Sequence, residues 1–352
     1  MSFLHDRLSI EKPIIQAGMA GGITTPELVS AIANTGALGT LGAGYMGASQ
    51  LKEDIHKVKQ LTDKPFAVNL FAVNLESYSN EIGNMQRFLN RFRNNLGIDA
   101  GADFVKVNDY LQEKIHVILE ENIRVVSTAF GVLPASLVER LKENDVLLIG
   151  MATNLDEARE LEESGYDAVV AQGYEAGGHR GTFDVGKYPN GSNIGLHVLL
   201  EEFLDHLEIP VVAAGGIHHK KQVDALLAMG AEAVQIGTRF LIAKEAGTNA
   251  AYRRALLKAD TNSTKITKVF SGRPARAIRN KFVKEVEGSG LTPLPFPIQN
   301  QMTKDIRGAG KEFAIADMQS LWAGQGVGAI QEEETAVEIV ESLTGNVNIT
   351  EA

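Results

Sequence analysis

The stretch Ile209–Leu241, IPVVAAGGIHHKKQVDALLAMGAEAVQIGTRFL, decides the fold because it contains one complete strand–helix–strand unit. Two apolar runs, IPVVAAGG and AEAVQIGTRFL, flank an amphipathic segment, KKQVDALLAMG. Apolar runs without strict alternation are typical of parallel strands that are buried on both faces. The stretch therefore predicts two parallel strands that are joined by a helix.

The same alternation of apolar runs and helical patterns continues through most of the chain. Six further apolar runs precede this unit, and nearly all are followed by a helical pattern: PIIQAG, ALGTLGAG, PFAVNLFAV, IRVVSTAFG, VLLIGMAT and YDAVVAQG. Eight β–α repeats predict an α/β fold of the (β/α)8 TIM-barrel type. A doubly wound sheet is the alternative, and the lack of a GxGxxG turn after the first run disfavours it.

The points at which the β–α repeats are interrupted or end predict the domain organisation. Residues 1–245 form the barrel core, with an excursion near 74–109 that interrupts the repeats. Residues 248–324 contain basic, proline-rich and helical pieces, which predict a smaller helical cap over the active-site end. Residues 325–352 predict a closing C-terminal helix, EEETAVEIVESL, followed by a tail.

The composition excludes several classes of site. The 352 residues include no cysteine, which excludes disulfides, thiolate-bound zinc, cysteine-bound iron–sulfur clusters and a cysteine nucleophile. The net charge of −10, with scattered basic residues, disfavours a nucleic-acid partner. No apolar leader is visible and no run approaches the roughly 18 apolar residues of a membrane span. We therefore expect a cytoplasmic protein without a membrane partner.

The residues that end the predicted strands are mostly small or amide-bearing, and the active site of a barrel lies at these ends. They include no carboxylate, so we expect no metal site. The last two strands end in Gly215-Gly216 and Gly237-Thr238. Backbone amides at these positions commonly bind a phosphate group, although Gly215-Gly216 alone is also consistent with a tight turn.

Two amide side chains, Asn69 and Gln172, end other predicted strands. Both can hydrogen-bond a planar heterocycle, because each carries a donor and an acceptor. A ligand with one phosphate group and one such ring matches both sets of positions. The sequence therefore predicts that the barrel binds flavin mononucleotide (FMN).

A glycine-rich loop, VVAQGYEAGGHRGTF, follows the sixth predicted strand and contains one histidine, His179. The glycines leave open space that the imidazole can reach. Because the ordinary pKa of histidine is about 6.5, His179 can act as a base or hydrogen-bond donor near neutral pH. The alternative is a structural histidine that fixes the loop.

Several motifs together resemble the nitronate monooxygenase family, formerly called 2-nitropropane dioxygenases. They are PIIQAGMAGG, PFAVNLF, VVAQGYEAGGHRGTF, PVVAAGGI and AEAVQIGTRFL, and the resemblance runs from about Ile10 to Phe282. It implies an FMN-dependent oxidoreductase with a TIM barrel and a helical cap. The implied reaction oxidises alkyl nitronates, such as propionate 3-nitronate, with O2 to a carbonyl compound and nitrite through a flavin semiquinone.

The resemblance also implies the roles of individual residues. His179 matches the active-site histidine, which is a base for neutral nitroalkanes and an orienting group for nitronates. The residues implied to contact FMN are Gln16, Ala17, Gly18, Met19, Ala20, Asn69, Gln172, Gly177, Gly178, Gly215, Gly216, Gln235, Ile236, Gly237 and Thr238.

Two features of the substrate site remain open at this point. The family usually has Ala-Pro-Met where this chain has Ala17-Gly18-Met19, and Gly18 loosens the backbone there. Aromatic residues are expected over the substrate, and Tyr110 and Tyr174 are the candidates. The sequence also leaves open whether the chain forms a homodimer, which nitro compound it uses and whether it accepts neutral nitroalkanes.

Three alternative functions share parts of this pattern. The flavin-dependent enoyl-acyl-carrier-protein reductases, which use NAD(P)H, resemble AEGMEAGGHIG at the loop, so Gln172 and Arg180 of this chain oppose that assignment. Barrels of the IMP dehydrogenase type need a cysteine nucleophile, which is absent. A flavin-binding protein without turnover would hold FMN that neither nitronates nor pyridine nucleotides reduce.

Overall fold

The computed structural model describes residues 3–75, 77–102 and 110–345. Within these residues the strands are β1 (Ile14–Gln16), β2 (Gly39–Gly42), β3 (Phe66–Phe71), β4 (Val125–Ala129), β5 (Leu147–Ala152), β6 (Ala168–Gln172), β7 (Gly178–His179), β8 (Val211–Ala214), β9 (Ala233–Ile236), β10 (Thr264–Thr267) and β11 (Ala275–Ile278). The α-helices are α1 (Phe3–Leu8), α2 (Pro26–Ala33), α3 (Ala48–Leu61), α4 (Ile82–Leu96), α5 (Leu111–Glu120), α6 (Ala135–Glu143), α7 (Leu155–Glu163), α8 (Leu196–His206), α9 (Lys220–Ala228), α10 (Ala250–Lys258), α11 (Lys281–Gly288), α12 (Ile298–Met302), α13 (Lys304–Glu312) and α14 (Ala336–Thr344).

Eight of these strands form one parallel sheet in the order β1-β9-β8-β6-β5-β4-β3-β2. An isolated parallel bridge between Ile15 and Leu38 joins its two ends. There, the amide of Gln16 donates to the carbonyl of Leu38 at 2.9 Å, and the amide of Leu38 donates to that of Ile14 at the same distance. The predicted (β/α)8 TIM barrel is therefore confirmed.

Alternate residues of the barrel strands enter two different parts of the core. Val170 of β6 and Val212 of β8 belong to an apolar cluster inside the barrel, whereas Val169 packs outward among the helices. Both faces of each strand are thus buried, which explains the continuous apolar runs in the sequence. Leu4 and Leu8 of α1 join the inner cluster. The amide of Leu4 donates to Glu232, next to the start of β9, so α1 covers the amino ends of the strands.

The segment after the barrel is not purely helical. It contains α10 to α13 and also β10 and β11, two strands that the sequence pattern did not reveal. These two short antiparallel strands extend to β7, where Ala275 pairs with His179. The segment after the barrel therefore contacts the glycine-rich loop directly.

The two remaining predicted segments are described in part. Helix α4 lies within the excursion near 74–109, of which residues 76 and 103–109 lie outside the described residues. Helix α14 packs against α2 and α9, and residues 346–352 of the predicted tail lie outside the described residues. Within the described part of the chain, no helix has the length and apolar character needed to cross a membrane.

Candidate functional site

A cavity of about 180 Å³ opens at the carboxyl ends of the barrel strands. Of the predicted site residues, the structure brings Ala17, Gly18, Met19, Ala20, Asn69, Gln172, Gly177, Gly178, His179, Gly215, Gly216, Gln235, Ile236, Gly237 and Thr238 to its wall. Gln16 does not line the cavity. Its side chain is buried and accepts a hydrogen bond from the amide of Thr40 at 3.0 Å, so it joins β1 to β2.

The ends of β8 and β9 present unused backbone donors to this cavity. Among the described residues, none accepts a hydrogen bond from the amides of Gly216, Gly237 or Thr238. Gly215 and Gly216 have φ angles of 136° and 67°, values that favour glycine, and a Cβ on Gly216 would lie 3.1 Å from the Cβ of Glu175. A cluster of free amides at strand ends is the arrangement that binds a phosphate group.

Glycines from three segments make this region compact. A Cβ on Gly177 would overlap the amide of Gly324, and a Cβ on Gly326 would lie 2.8 Å from the carbonyl oxygen of Gly216. Thr238 accepts a hydrogen bond from the amide of Gly324 through Oγ1 at 2.9 Å. The segment near Gly324 therefore closes one side of the cavity.

The polar wall formed by β3 and β6 is also preorganised. Nδ2 of Asn69 donates to Oγ of Ser127 at 3.0 Å. Gln172 donates from Nε2 to the carbonyl of His179 at 3.0 Å and accepts from the amide of Gly181 at 2.8 Å, so it holds the glycine-rich loop to the barrel. A Cβ on Gly18 would overlap the Cβ of Asn69, so the glycine in the Ala-Gly-Met motif leaves room for this amide.

His179 lies where the barrel meets the segment that follows it. Its Nε2 is 2.8 Å from Oγ of Ser271, and its ring centroid is 5.6 Å from that of Phe130 and 5.1 Å from that of Trp322. Burial, with smaller effects from the charges of Arg273 and Arg307, lowers the pKa of His179 to about 3. The imidazole is therefore neutral at physiological pH.

The loop that carries His179 is anchored by buried charged groups. Arg180 donates to the carbonyls of Gly173 at 2.6 Å and Gln172 at 2.8 Å. Glu157 accepts from the amide of Phe183 at 2.9 Å, and burial raises the pKa of this carboxyl. These bonds fix the loop on both sides of His179, so its imidazole has a defined position.

Arg273 connects the same loop to the aromatic wall. It donates to the carbonyls of Thr182 and Phe183, and its guanidinium lies 4.4 Å from the ring centroid of Phe130. Phe130 has a φ of 80°, which is unusual for a bulky residue. Strained backbone of this kind is concentrated at functional sites.

Neither of the two tyrosines named as candidates for the substrate side lines the cavity. Tyr110 precedes α5, and Tyr174 packs under Arg276, with 4.4 Å from guanidinium to ring centroid. The aromatic wall consists of Tyr45, Phe71, Phe130, Tyr252 and Trp322. Phe71 and Phe130 lie at the ends of β3 and β4, so the position of these strand ends was a signal that could have identified them. Ser271, Arg273 and Trp322 come from the segment after the barrel, and the sequence contained no comparable signal for them.

The described residues contain no group of three or more histidine, aspartate or glutamate side chains that is placed to hold a metal ion.

Comparisons with known proteins show the family to which this chain is similar. The family model described as nitronate monooxygenase matches residues 2–346. A probable nitronate monooxygenase from Staphylococcus aureus is 42% identical over 325 residues, which cover 92% of this chain and 90% of the relative. A nitroalkane oxidase from Streptomyces ansochromogenes has a TM-score of 0.90 at 36% identity, covering 97% of this chain and 96% of that chain. FabK from Thermotoga maritima has a TM-score of 0.76 at 29% identity, covering 97% and 94%.

Proposed function

This chain belongs to the nitronate monooxygenase family of flavin-dependent oxidoreductases, and from that premise we propose its cofactor and reaction. The cofactor is FMN. The reaction oxidises an alkyl nitronate, with propionate 3-nitronate as the reference substrate, using O2 and forming a carbonyl compound and nitrite.

The residues of the cavity fit FMN. The amides of Gly216, Gly237 and Thr238 have no acceptor among the described residues, so they can bind the phosphate group. Asn69 and Gln172 provide amide groups for the polar edge of the ring. FMN supplies one-electron chemistry between the nitronate and O2, and the side chains of this chain bind and orient both partners.

The neutral state of His179 is the observation that favours a nitronate over a neutral nitroalkane. A base works best when its pKa lies near the working pH, and the pKa of His179 is about 3. A nitronate has already lost its C–H proton and needs no base. We propose that His179, held by Ser271, orients the nitronate through hydrogen bonding.

The proposal is tested with purified protein reconstituted with FMN. We expect propionate 3-nitronate to reduce the flavin in the absence of air, and to yield nitrite with consumption of O2 in air. His179→Asn should keep FMN and much of the nitronate activity. If the wild type instead uses His179 as a base, the activity of His179→Asn on a neutral nitroalkane should fall by about 10²- to 10⁴-fold. Absence of nitrite formation by the wild type would contradict the proposal.

The second candidate is an enoyl-acyl-carrier-protein reductase that uses NAD(P)H. The EAGGH motif and the similarity to FabK favour it, whereas Gln172 and Arg180 oppose it. Arg180 is buried and donates to the backbone of β6, so it is part of the scaffold that shapes the loop. Rapid flavin reduction by NADH or NADPH, with turnover of a crotonyl thioester, would establish this second function instead.

We also propose that residues 248–324 act as a cap that closes the substrate side of the site. Phe296, Asn300 and Arg307 of this segment line a pocket next to His179, which supports this division of the chain.

A further inference from the structure

A second pocket continues the cavity on the far side of His179. Its volume is about 320 Å³, and it shares the side chains of Tyr45, Phe71, His179, Tyr252 and Trp322 with the first cavity. Its outer wall comes from helices α12 and α13 of the cap. A substrate that reaches His179 can therefore extend into this pocket.

The outer wall of this pocket is cationic. Lys304, Arg307 and Lys311 lie three and four residues apart on α13, so they follow one face of the helix, and all three line the pocket. None of the three forms an ion pair within the described part of the chain, and no aspartate or glutamate lines the pocket there. The pocket thus has positive charge without a matching carboxylate.

The carboxylate in the first turn of α13, Asp305, pairs with an arginine of another helix. Asp305 binds the buried Arg93 of α4, with 2.7 Å from Nε to Oδ2 and 3.2 Å from Nη2 to Oδ1. Arg93 also donates to the carbonyl of Met302 at 2.6 Å. This contact fixes the start of α13 and pairs the Asp305 carboxylate with Arg93, so that Asp305 forms no ion pair with Arg307 although its charge still acts on that guanidinium.

Arg307 is the best-positioned of the three cations. Its Nε donates to Oγ1 of Thr303 at 3.1 Å, and its Nη2 donates to the carbonyl of Asn300 at 2.7 Å and to Oδ1 of Asn300 at 2.9 Å. No described residue accepts a hydrogen bond from Nη1, so this donor remains for a ligand. Burial lowers the pKa of Arg307, which means that its charge lacks the solvation it would have in water.

We propose that this pocket is a carboxylate subsite and that Arg307 determines specificity for nitronates that carry a carboxylate at their other end. The inference rests on the proposed function. An oriented guanidinium that forms no direct ion pair binds a carboxylate strongly, because charge-assisted hydrogen bonds are stronger than neutral ones. Lys304 and Lys311 add positive charge at the same wall, and the aromatic side chains hold the carbon chain between the two anions.

The test compares two substrates of nearly equal shape in the FMN-loaded enzyme. Propionate 3-nitronate carries the carboxylate, and 3-methylbutyl 1-nitronate has an isopropyl group in its place. We expect the wild type to prefer the carboxylate in kcat/KM. Arg307→Met should reduce kcat/KM for propionate 3-nitronate by about 10- to 100-fold, the usual range for a hydrogen bond to a charged group, and change that of the isopropyl substrate much less.

Two further variants separate specificity from damage to the fold. Lys258→Met removes a cation from the end of α10 outside both pockets and should leave the preference unchanged. Arg307→Lys keeps the charge without the planar fork and should retain part of the preference. A wild type without preference, or an equal loss on both substrates in Arg307→Met, would overturn the inference.

A binding measurement tests the subsite independently of the proposed reaction. Succinate is an unreactive mimic of propionate 3-nitronate, and 4-methylpentanamide keeps the isopropyl end without any carboxylate. Arg307→Met should weaken binding of succinate by about 10- to 100-fold and leave 4-methylpentanamide nearly unchanged. If the wild type oxidises neither nitronate, the proposed function fails and this ratio alone decides the subsite. Equal weakening of both ligands would then refute it.

Discussion

The neutral state of His179 has a measurable effect on the pH dependence of folding. In the unfolded chain this imidazole has a pKa of about 6.5, and in the folded chain its pKa is about 3 because it is buried near Arg273 and Arg307. Between these values the unfolded state binds one more proton, so stability is present above about pH 6.5 and is lost as the pH falls. The loss is about 1.4 kcal/mol per pH unit, or roughly 2 kcal/mol at about pH 5.

A comparison with His179→Asn isolates this contribution, because the other titrating groups cancel. Urea unfolding of both proteins, with FMN at the same saturating concentration, gives the free energy of unfolding at about pH 7.5 and at about pH 5. We expect the wild type to lose roughly 2 kcal/mol more than the variant on acidification. In the pH dependence of kcat/KM for a nitronate, the wild type and the variant should have the same shape near pH 6.5. Equal losses in the two proteins, or a different shape there, would refute a neutral His179.

Three other substitutions test the scaffold of the site. Gly18→Ala places a Cβ against Asn69, so we expect about 1–3 kcal/mol lower stability in urea unfolding and lower FMN occupancy by absorbance; an unchanged flavin content would contradict the close approach. Gly216→Ala, at a φ of 67°, should lower the free energy of unfolding by about 1–2 kcal/mol and weaken FMN binding. Gly288→Ala is the control, because a Cβ at that position would meet no neighbouring atom. Arg93→Met leaves the carbonyl of Met302 without its donor and removes the partner of Asp305, which is partly exposed, so we expect a loss of about 1–3 kcal/mol; an unchanged free energy of unfolding would show that α4 does not hold α13.

The barrel and its glycine-rich strand ends could be predicted because their signals are local. Runs such as YDAVVAQG encode a strand that is buried on both faces, and Gly216 or Gly237 is identified by its position at a strand end. Gln16 shows the limit of this reasoning. It ends β1, as predicted, but its side chain points between strands and bonds to Thr40, and the sequence does not specify that direction.

The substrate side could not be predicted because it is assembled from distant segments. Ser271 is 92 residues from His179 along the chain, and it reaches the imidazole only because β11 pairs with β7. The two strands that build this contact have four and two residues, which is too short for a periodic pattern to emerge. In the sequence, Arg307 cannot be distinguished from the other cations of an amphipathic helix. Its role becomes visible only when the structure places α12 and α13 beside the cavity.

Trp322 is the one tryptophan of the chain, and it contacts His179 inside the cavity. Its carbonyl accepts a hydrogen bond from Tyr252 at 2.5 Å, which restrains its place in the wall. All indole fluorescence of the protein therefore arises from a single point in the site, without any label. Because flavins absorb in the region where indole emits, FMN beside this ring should quench the emission by energy transfer. The chain thus carries a built-in optical reporter that distinguishes the empty from the loaded site and records the rate of cofactor entry.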